Sequence, residues 1–300
     1  MPEPGVPGIS RTALVVNAYC AFAARHPELK RAFFDPMAEI VFARAGQDGA
    51  AILDRLRNWA DVVKFIAAQP GGDIDIVARV VWRKMWIERQ MRAALDLGAR
   101  QAVILGGGFD TIGLRLANAY PRIPIFEIDQ PNTQSVKRPI VESAFGMPGN
   151  FMFVPVDFAR EQLPERLLAT SYDPAARGVF LAEVVLEYVP PADVDRIFAF
   201  IRARSDPKTR LIFTFLPPEA LKAGMGAAIN ASVRQADEPF RFTLEPAQLD
   251  KFLGARGFRK LAVTTLPAIR DTYRIEHSLP QDTLPAIGPS LFRYVVAETL

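Results

Sequence analysis

The chain has 300 residues, half of them hydrophobic, with 36 basic and 33 acidic side chains and a formal net charge of +3. That length and apolar content suffice for one large domain, or for a core carrying a cap. Balanced charge without a basic run argues against nucleic acid, the lone Cys20 excludes an internal disulfide and a thiolate metal site, and no apolar run reaches membrane-spanning length.

Met1 to Gly8 has neither a basic n-region nor an apolar h-region, so a lead-in and a cytoplasmic location are expected. Residues 11–95 read as helices. Ala13 to Ala24 is alanine-rich. Phe34-Asp35-Pro36-Met37-Ala38 predicts a helix start, with Asp35 as N-cap and Pro36 in the first helical position. Ile52 to Ala68 follows the break at Gly46 to Gly49. Asp75 to Leu97 predicts a long helix stopped by Gly98, apolar most of the way round through Val77, Val81, Trp82, Met85 and Trp86, and therefore buried. Arg79 and Arg83 stand out on it.

From Gly98 strands and helices alternate. Strands are expected at Ala102–Leu105, Ile123–Ile128, Phe151–Val156, Gly178–Ala182 and Arg210–Phe215. The intervening helices include one from Thr133 to Phe145 that Pro139 should kink or break. Pro217 to Pro246 reads as an irregular lid or substrate-side insertion, too long for a plain connection. A helix from Pro246 to Leu253 and strands at Phe258–Leu266 and Phe292–Glu298, joined by a loop, complete the chain. The pattern predicts one α/β domain with a mostly parallel, Rossmann-like sheet: a helical cap over 1–97, and a core over 98–300 with the insertion at 217–245.

In such a sheet the ligand lies across the carboxyl ends of the strands. Four successive strands end in a polar signal: Gly106-Gly107-Gly108, then Asp129, Asp157 and Glu183. Glycines let a ligand approach the backbone. Asp129 stands where an acid accepts hydrogen bonds from ribose hydroxyls, and Asp157 where an adenine amino group is met. Asp110, just past the glycines, either caps the next helix or touches the ligand. A dinucleotide site would have a third glycine where Thr111 stands, and a positive field for pyrophosphate where Asp110 places a negative charge. An acid there suits a sulfonium ligand, which favours S-adenosylmethionine over NAD.

Leu105-Gly-Gly-Gly-Phe-Asp-Thr-Ile-Gly-Leu-Arg-Leu116, with Phe126-Glu-Ile-Asp-Gln-Pro131 and Lys137-Arg138, resembles the leucine carboxyl methyltransferase family, which includes bacterial O-methyltransferases and polyketide carboxyl methyltransferases. Ser10-Arg-Thr-Ala13, Phe34-Asp-Pro-Met-Ala38, Gly98-Ala-Arg-Gln101, Pro155-Val-Asp157-Phe158 and Ala182-Glu183-Val184-Val185-Leu186-Glu187-Tyr188 are similar to further signatures, so the likeness runs over roughly residues 10 to 260. It implies a class I methyltransferase fold with S-adenosylmethionine as cofactor. The cofactor-binding residues it implies are Arg83 for the methionine carboxylate (Arg79 in reserve), Gly106, Gly107 and Gly108, Asp110, Asp129 with Gln130, Asp157 with Phe158, and Glu183 toward the methionine amino group. The sequence departs from the family where an arginine often stands two residues after Asp110, here Ile112, and in the first helix, here Tyr19-Cys20-Ala21.

The expected reaction is methyl transfer to a carboxylate or hydroxyl of a small molecule, a carboxylic acid or polyketide-like metabolite. It needs no metal, and no base when the acceptor is a carboxylate. Tyr188 is the candidate pocket residue. His26 and His277 are read as structural, Arg234 and Arg241 as solvated, and Met225, Phe240 and Phe242 as a greasy lid. Two alternatives stand: an NAD(P)-dependent oxidoreductase, and a non-catalytic S-adenosylmethionine-binding protein.

Overall fold

A computed structural model describes residues 10–69, 72–156, 163–203, 206–235 and 238–300. Six helices come first: α1 (Arg11–Ala23), α2 (Pro27–Ala32), α3 (Ala38–Ala45), α4 (Gly49–Arg55), α5 (Trp59–Ala67) and α6 (Asp75–Asp96). The core follows as β1 (Gln101–Leu105), α7 (Ile112–Ala119), β2 (Ile125–Asp129), α8 (Pro131–Phe145), β3 (Phe151–Pro155), α9 (Leu163–Leu168), β4 (Gly178–Ala182), α10 (Pro191–Ala203) and β5 (Arg210–Phe215). Then come α11 (Gly224–Gln235), α12 (Leu249–Gly254), β6 (Phe258–Thr264), α13 (Leu266–Glu276) and β7 (Arg293–Thr299). The seven strands lie in the order β3-β2-β1-β4-β5-β7-β6. β1 to β5 pair in parallel and β7 runs antiparallel to both neighbours. The order reverses between β1 and β4, which opens a crevice at their carboxyl ends.

The strands are apolar on both faces because helices cover both. Val103, Leu105, Phe126, Phe180 and Phe213 pack on one side with Phe198, Ile201 and Leu253 of α10 and α12. Ala102, Ile104, Leu181 and Ile212 pack on the other with Leu114, Val141 and the second half of α6 through Ile87, Met91 and Leu95. The first half of α6 (Val77, Val81, Trp82, Met85) belongs instead to the core of the N-terminal helices. Helix α6 therefore passes from cap to sheet near residues 83–86. That crossing sets a charged turn of the helix beside the strand ends.

Several expectations are corrected. The start predicted at Pro36 falls at Ala38, because the Asp35 side chain, after accepting from the Met37 N–H, turns away toward Thr111 and Arg115. The helix expected over 52–68 is two, α4 and α5, since Asn58 and Asp61 form a capping box. Helix α8 runs through Pro139 without a break. The insertion is not irregular: it contains α11, whose Gly224 and Gly226 obscured its start. The loop expected before the last strand holds α13, which Pro267 opens rather than breaks.

Candidate functional site

The glycine turn is shaped by its neighbours. Gly106 and Gly108 have φ of +64° and +51°, a region open to glycine at little cost. The N–H groups of Gly106 and Gly107 donate to the Ile128 carbonyl at 2.8 and 3.2 Å. A Cβ on Gly107 would lie 2.4 Å from Cγ of Glu127, and one on Gly108 2.8 Å from Cβ of Ala13. Helix α1 thus rests on the turn, and Asn17 Nδ2 fastens it by donating to the Phe109 carbonyl at 3.1 Å.

Asp129 ends β2 beside the turn. It accepts from the Gly108 N–H and the Gln130 N–H, and burial still raises its carboxyl above the ordinary range. Gln130 is exposed next to it. Below the turn, Glu127 is wholly buried and burial pushes it up to about 7, against the pull of Lys137, whose ammonium lies 2.5 Å away. Lys137 also donates to the Asp110 carbonyl.

The second half of the site hangs on α6. Arg83 Nε lies 2.8 Å from Glu183 Oε1 at the end of β4, and Lys84 Nζ lies 2.7 Å from the same oxygen and 2.5 Å from Asp110. Burial alone would weaken the charge of Arg83 and of Lys84, but the facing acids outweigh it and hold both protonated. The Arg83 Nε–H, close as it is to Glu183, points at no acceptor. Arg79, the reserve candidate, is spent elsewhere: it pairs with Asp75 at 2.8 Å and donates to the Pro289 carbonyl at 2.8 Å.

Asp110 accepts from Lys84 and from the Ile112 N–H, with Arg115 at 3.6 Å. Against its burial, these cations depress its carboxyl far below the usual range. Its negative charge is therefore compensated locally, and the sequence argument that it selects a sulfonium loses that support. Thr111, in place of the third glycine, is buried and donates to Asp35 at 2.7 Å, while Arg115 ties Asp35 to Glu88. The 34–38 and 105–116 signatures thus meet in space.

Tyr188 lies in the short 3-10 turn Leu186–Tyr188, its ring 5.1 Å from that of Phe240; burial, with Glu187 and Glu238 nearby, raises its hydroxyl. Thr12 donates to Glu238 at 2.7 Å, so α1 reaches the same wall. Phe242 is buried and Phe240 packs against the core of the N-terminal helices, while Arg234 and Arg241 are exposed. Asp157 and Phe158 lie outside the described residues. His26 caps α2, His277 stacks on Tyr273, and burial pushes the Cys20 thiol up to about 12. Among the described residues no cluster of His, Cys, Asp and Glu could hold a metal.

Arg83, Lys84, Lys137 and Glu187 gather here from distant parts of the chain. Lys84 carried no motif meaning in the sequence, and Glu187 stood in the 182–188 signature without a role; the i, i+1 repetition of cations at 83 and 84 on a buried helix was the available signal for Lys84. The donor set fits a ligand with a carboxylate and an ammonium at one end and a diol at the other: an acceptor-free guanidinium N–H, a neighbouring acid, and a half-buried acid across a glycine turn.

A family model for leucine carboxyl methyltransferases matches residues 13–202. A Mycobacterium marinum protein with the provisional name S-adenosyl-L-methionine-dependent methyltransferase is 30% identical over 242 residues, covering 78% of this chain and 73% of that one. A Mycobacterium tuberculosis protein of the same name is 31% identical over 208 residues, 68% of this chain and 63% of that one. Among solved structures, a DUF574 family protein of Streptomyces avermitilis shares the fold with a TM-score of 0.58 at 11% identity, covering 95% of this chain and 97% of that one. One from Thermobifida fusca, provisionally titled a methyltransferase, does so with 0.55 at 15%, covering 91% and 97%.

Proposed function

Since the chain belongs to the leucine carboxyl methyltransferase family and is an S-adenosylmethionine-dependent methyltransferase, we propose that it methylates an oxygen, hydroxyl or carboxylate, of a small molecule by in-line displacement. The observation that carries the reading is the Arg83–Glu183 pair at the carboxyl end of β4, beside the glycine turn. S-adenosylmethionine supplies a methyl group on a sulfonium, whose leaving group is a neutral thioether. Arg83 holds the methionine carboxylate and Glu183 the ammonium, with Lys84 and Asp110 keeping Glu183 in place. Gly106, Gly107 and Gly108 allow close approach of the backbone, Asp129 takes the ribose hydroxyls beside Gln130, and Asp157 with Phe158 takes the adenine. Tyr188 and Phe240 wall the acceptor side. Those residues contribute position and exclusion of water, which suffice for much of the rate of such a displacement.

The oxidoreductase alternative falls with the family match. No described helix is long and apolar enough to cross a membrane. A cytoplasmic setting, with a carboxylic acid or polyketide-like metabolite as acceptor and no nucleic-acid partner, is part of this proposal. Incubation with isotope-labelled cofactor and a panel of small acids, phenols and alcohols tests it. Label on oxygen is the expected result; label on nitrogen or carbon, or no transfer to any acceptor, overturns it.

A further inference from the structure

Glu187 is a second buried acid at the methionine end, and nothing above uses it. It is completely buried in the turn after β4. Its Oε1 accepts from the Thr214 hydroxyl of β5 at 2.8 Å, and the Thr214 oxygen accepts from the Val184 N–H at 2.8 Å. Val184, directly after Glu183, has φ +51°, a conformation that β-branched residues rarely adopt and that surrounding contacts must enforce. The Glu187 carbonyl accepts from the N–H groups of Arg241 and Phe242, which cover it. Its position is therefore fixed from three sides.

Its other oxygen, Oε2, is buried with no partner, and so is the Tyr294 hydroxyl of β7. The charged groups acting on Glu187 are Arg83 from α6 and Glu183 from β4. Tyr188 beside it and Tyr294 are both kept neutral by burial; Tyr294 also feels Arg83, Glu183 and Arg79, and Tyr188 feels Glu238. Thus a rigidly held carboxyl, one oxygen free, adjoins the Arg83–Glu183 pair with no cation of its own in hydrogen-bond contact.

We propose that Glu187 takes the proton of a hydroxyl acceptor and is readied for it by the positive charge of the bound sulfonium. This rests on the reading that the methionine end of the cofactor lies at Arg83 and Glu183. Burial pushes the Glu187 carboxyl up to about 8 despite Thr214 and Arg83, so in the free protein it is mostly protonated at neutral pH. A nearby positive charge favours the carboxylate, and Glu187 releases its proton to solvent when the site is loaded. During transfer an acceptor oxygen pair forms the new C–O bond, the C–S pair stays on sulfur, and the acceptor's O–H proton passes to Glu187. The carboxylate and sulfonium charges cancel, leaving a neutral acid and a thioether. With sulfur neutral, Glu187 keeps that proton until the next cofactor arrives. A carboxylate acceptor has no proton to give, so the acceptor this step suits is a phenolic or enolic hydroxyl, whose acidity a carboxylate of this strength can match.

Calorimetric titration in two buffers of different ionisation enthalpy, with S-adenosylmethionine and S-adenosylhomocysteine as ligands, tests this without knowledge of the acceptor. The two ligands differ in charge only at sulfur. Near pH 7.5, S-adenosylmethionine should release roughly half a proton or more per site and S-adenosylhomocysteine much less. Glu187→Gln should bind both and erase the difference. Equal proton counts for the two ligands in the unaltered protein overturn the proposal, whatever the variant does. Failure of either ligand to bind overturns the cofactor reading itself and this inference with it, a result distinct from binding without proton release.

Discussion

Two wholly buried glutamates flank this crevice, Glu127 under the glycine turn and Glu187 in the turn after β4, and their surroundings differ. Glu127 has the Lys137 ammonium at 2.5 Å, itself completely buried and tied to the Asp110 carbonyl. Glu187 has one hydroxyl, Thr214, and no cation in hydrogen-bond contact, while each acid keeps its Oε2 without a partner. A buried acid with its own cation is costly to disturb, and the cation pulls its carboxyl down; one held by hydrogen bonding alone stays higher, about 8 for Glu187 against about 7 for Glu127. Under the glycine turn, fixed charges and main-chain N–H groups hold a shape. In the turn after β4, hydrogen bonds alone hold the acid.

Breaking the paired side should have the largest effect. Lys137→Met strands Glu127 without a cation under the glycine turn and should destabilise the fold by about 3–5 kcal/mol, read from urea unfolding. A loss below about 1 kcal/mol, the size of an exposed pair, would remove the contrast. Next comes the edge of that side: Asp129→Ala should weaken S-adenosylmethionine binding by about 1–3 kcal/mol, the range for leaving hydrogen-bonding groups unpaired, beside the loss of stability from freeing the Gly108 and Gln130 N–H groups. Calorimetry decides it, and unaltered affinity takes Asp129 out of the site.

The unpaired acid should show itself in pH dependence. The Glu187 carboxyl, ordinarily 4.5, is raised to about 8 in the fold. The folded chain therefore holds a proton that the unfolded chain has lost, and the stability this gives is full below about 4.5 and declines as pH rises through about 8. Glu187→Gln should lack that decline, so its unfolding midpoint should gain on that of the unaltered protein between about pH 5 and pH 9. Parallel curves would show that Glu187 is as firmly compensated as Glu127. The smallest effect is expected from Thr214→Val, which removes the hydroxyl between Val184 and Glu187. A loss of about 0.5–1.5 kcal/mol in stability is expected, together with a further rise of the Glu187 carboxyl, seen as an alkaline shift of the same pH curve.

What the sequence reveals of this site follows the same division. Strand ends are legible because a run such as Val103-Ile104-Leu105 stops abruptly at glycines, and Ile128 at Asp129; periodicity locates them within a residue or two. The glycine-turn side of the site is built from such ends. The rest is built from contacts between elements. Lys84 meets Asp110 across 26 positions, Glu187 meets Thr214 across 27, and Asp35 meets Thr111 across 76. No local pattern encodes which acid acquires a cation. The same limit explains Asp110: its position past the glycines is legible, while the two cations that absorb its charge are not. Helices α11 and α13 escaped because glycine and proline stand at their first turns.

The most direct measurement is thermal unfolding with saturating S-adenosylmethionine, S-adenosylhomocysteine or NAD. A ligand that binds only the folded state raises the midpoint, by about 2.7 kcal/mol of stabilisation at a hundredfold excess over its Kd. The account predicts that both adenosyl ligands stabilise the protein, that Arg83→Ala abolishes the gain, and that NAD leaves the midpoint unchanged. Stabilisation by NAD alone, or full stabilisation of Arg83→Ala by the adenosyl ligands, would contradict it.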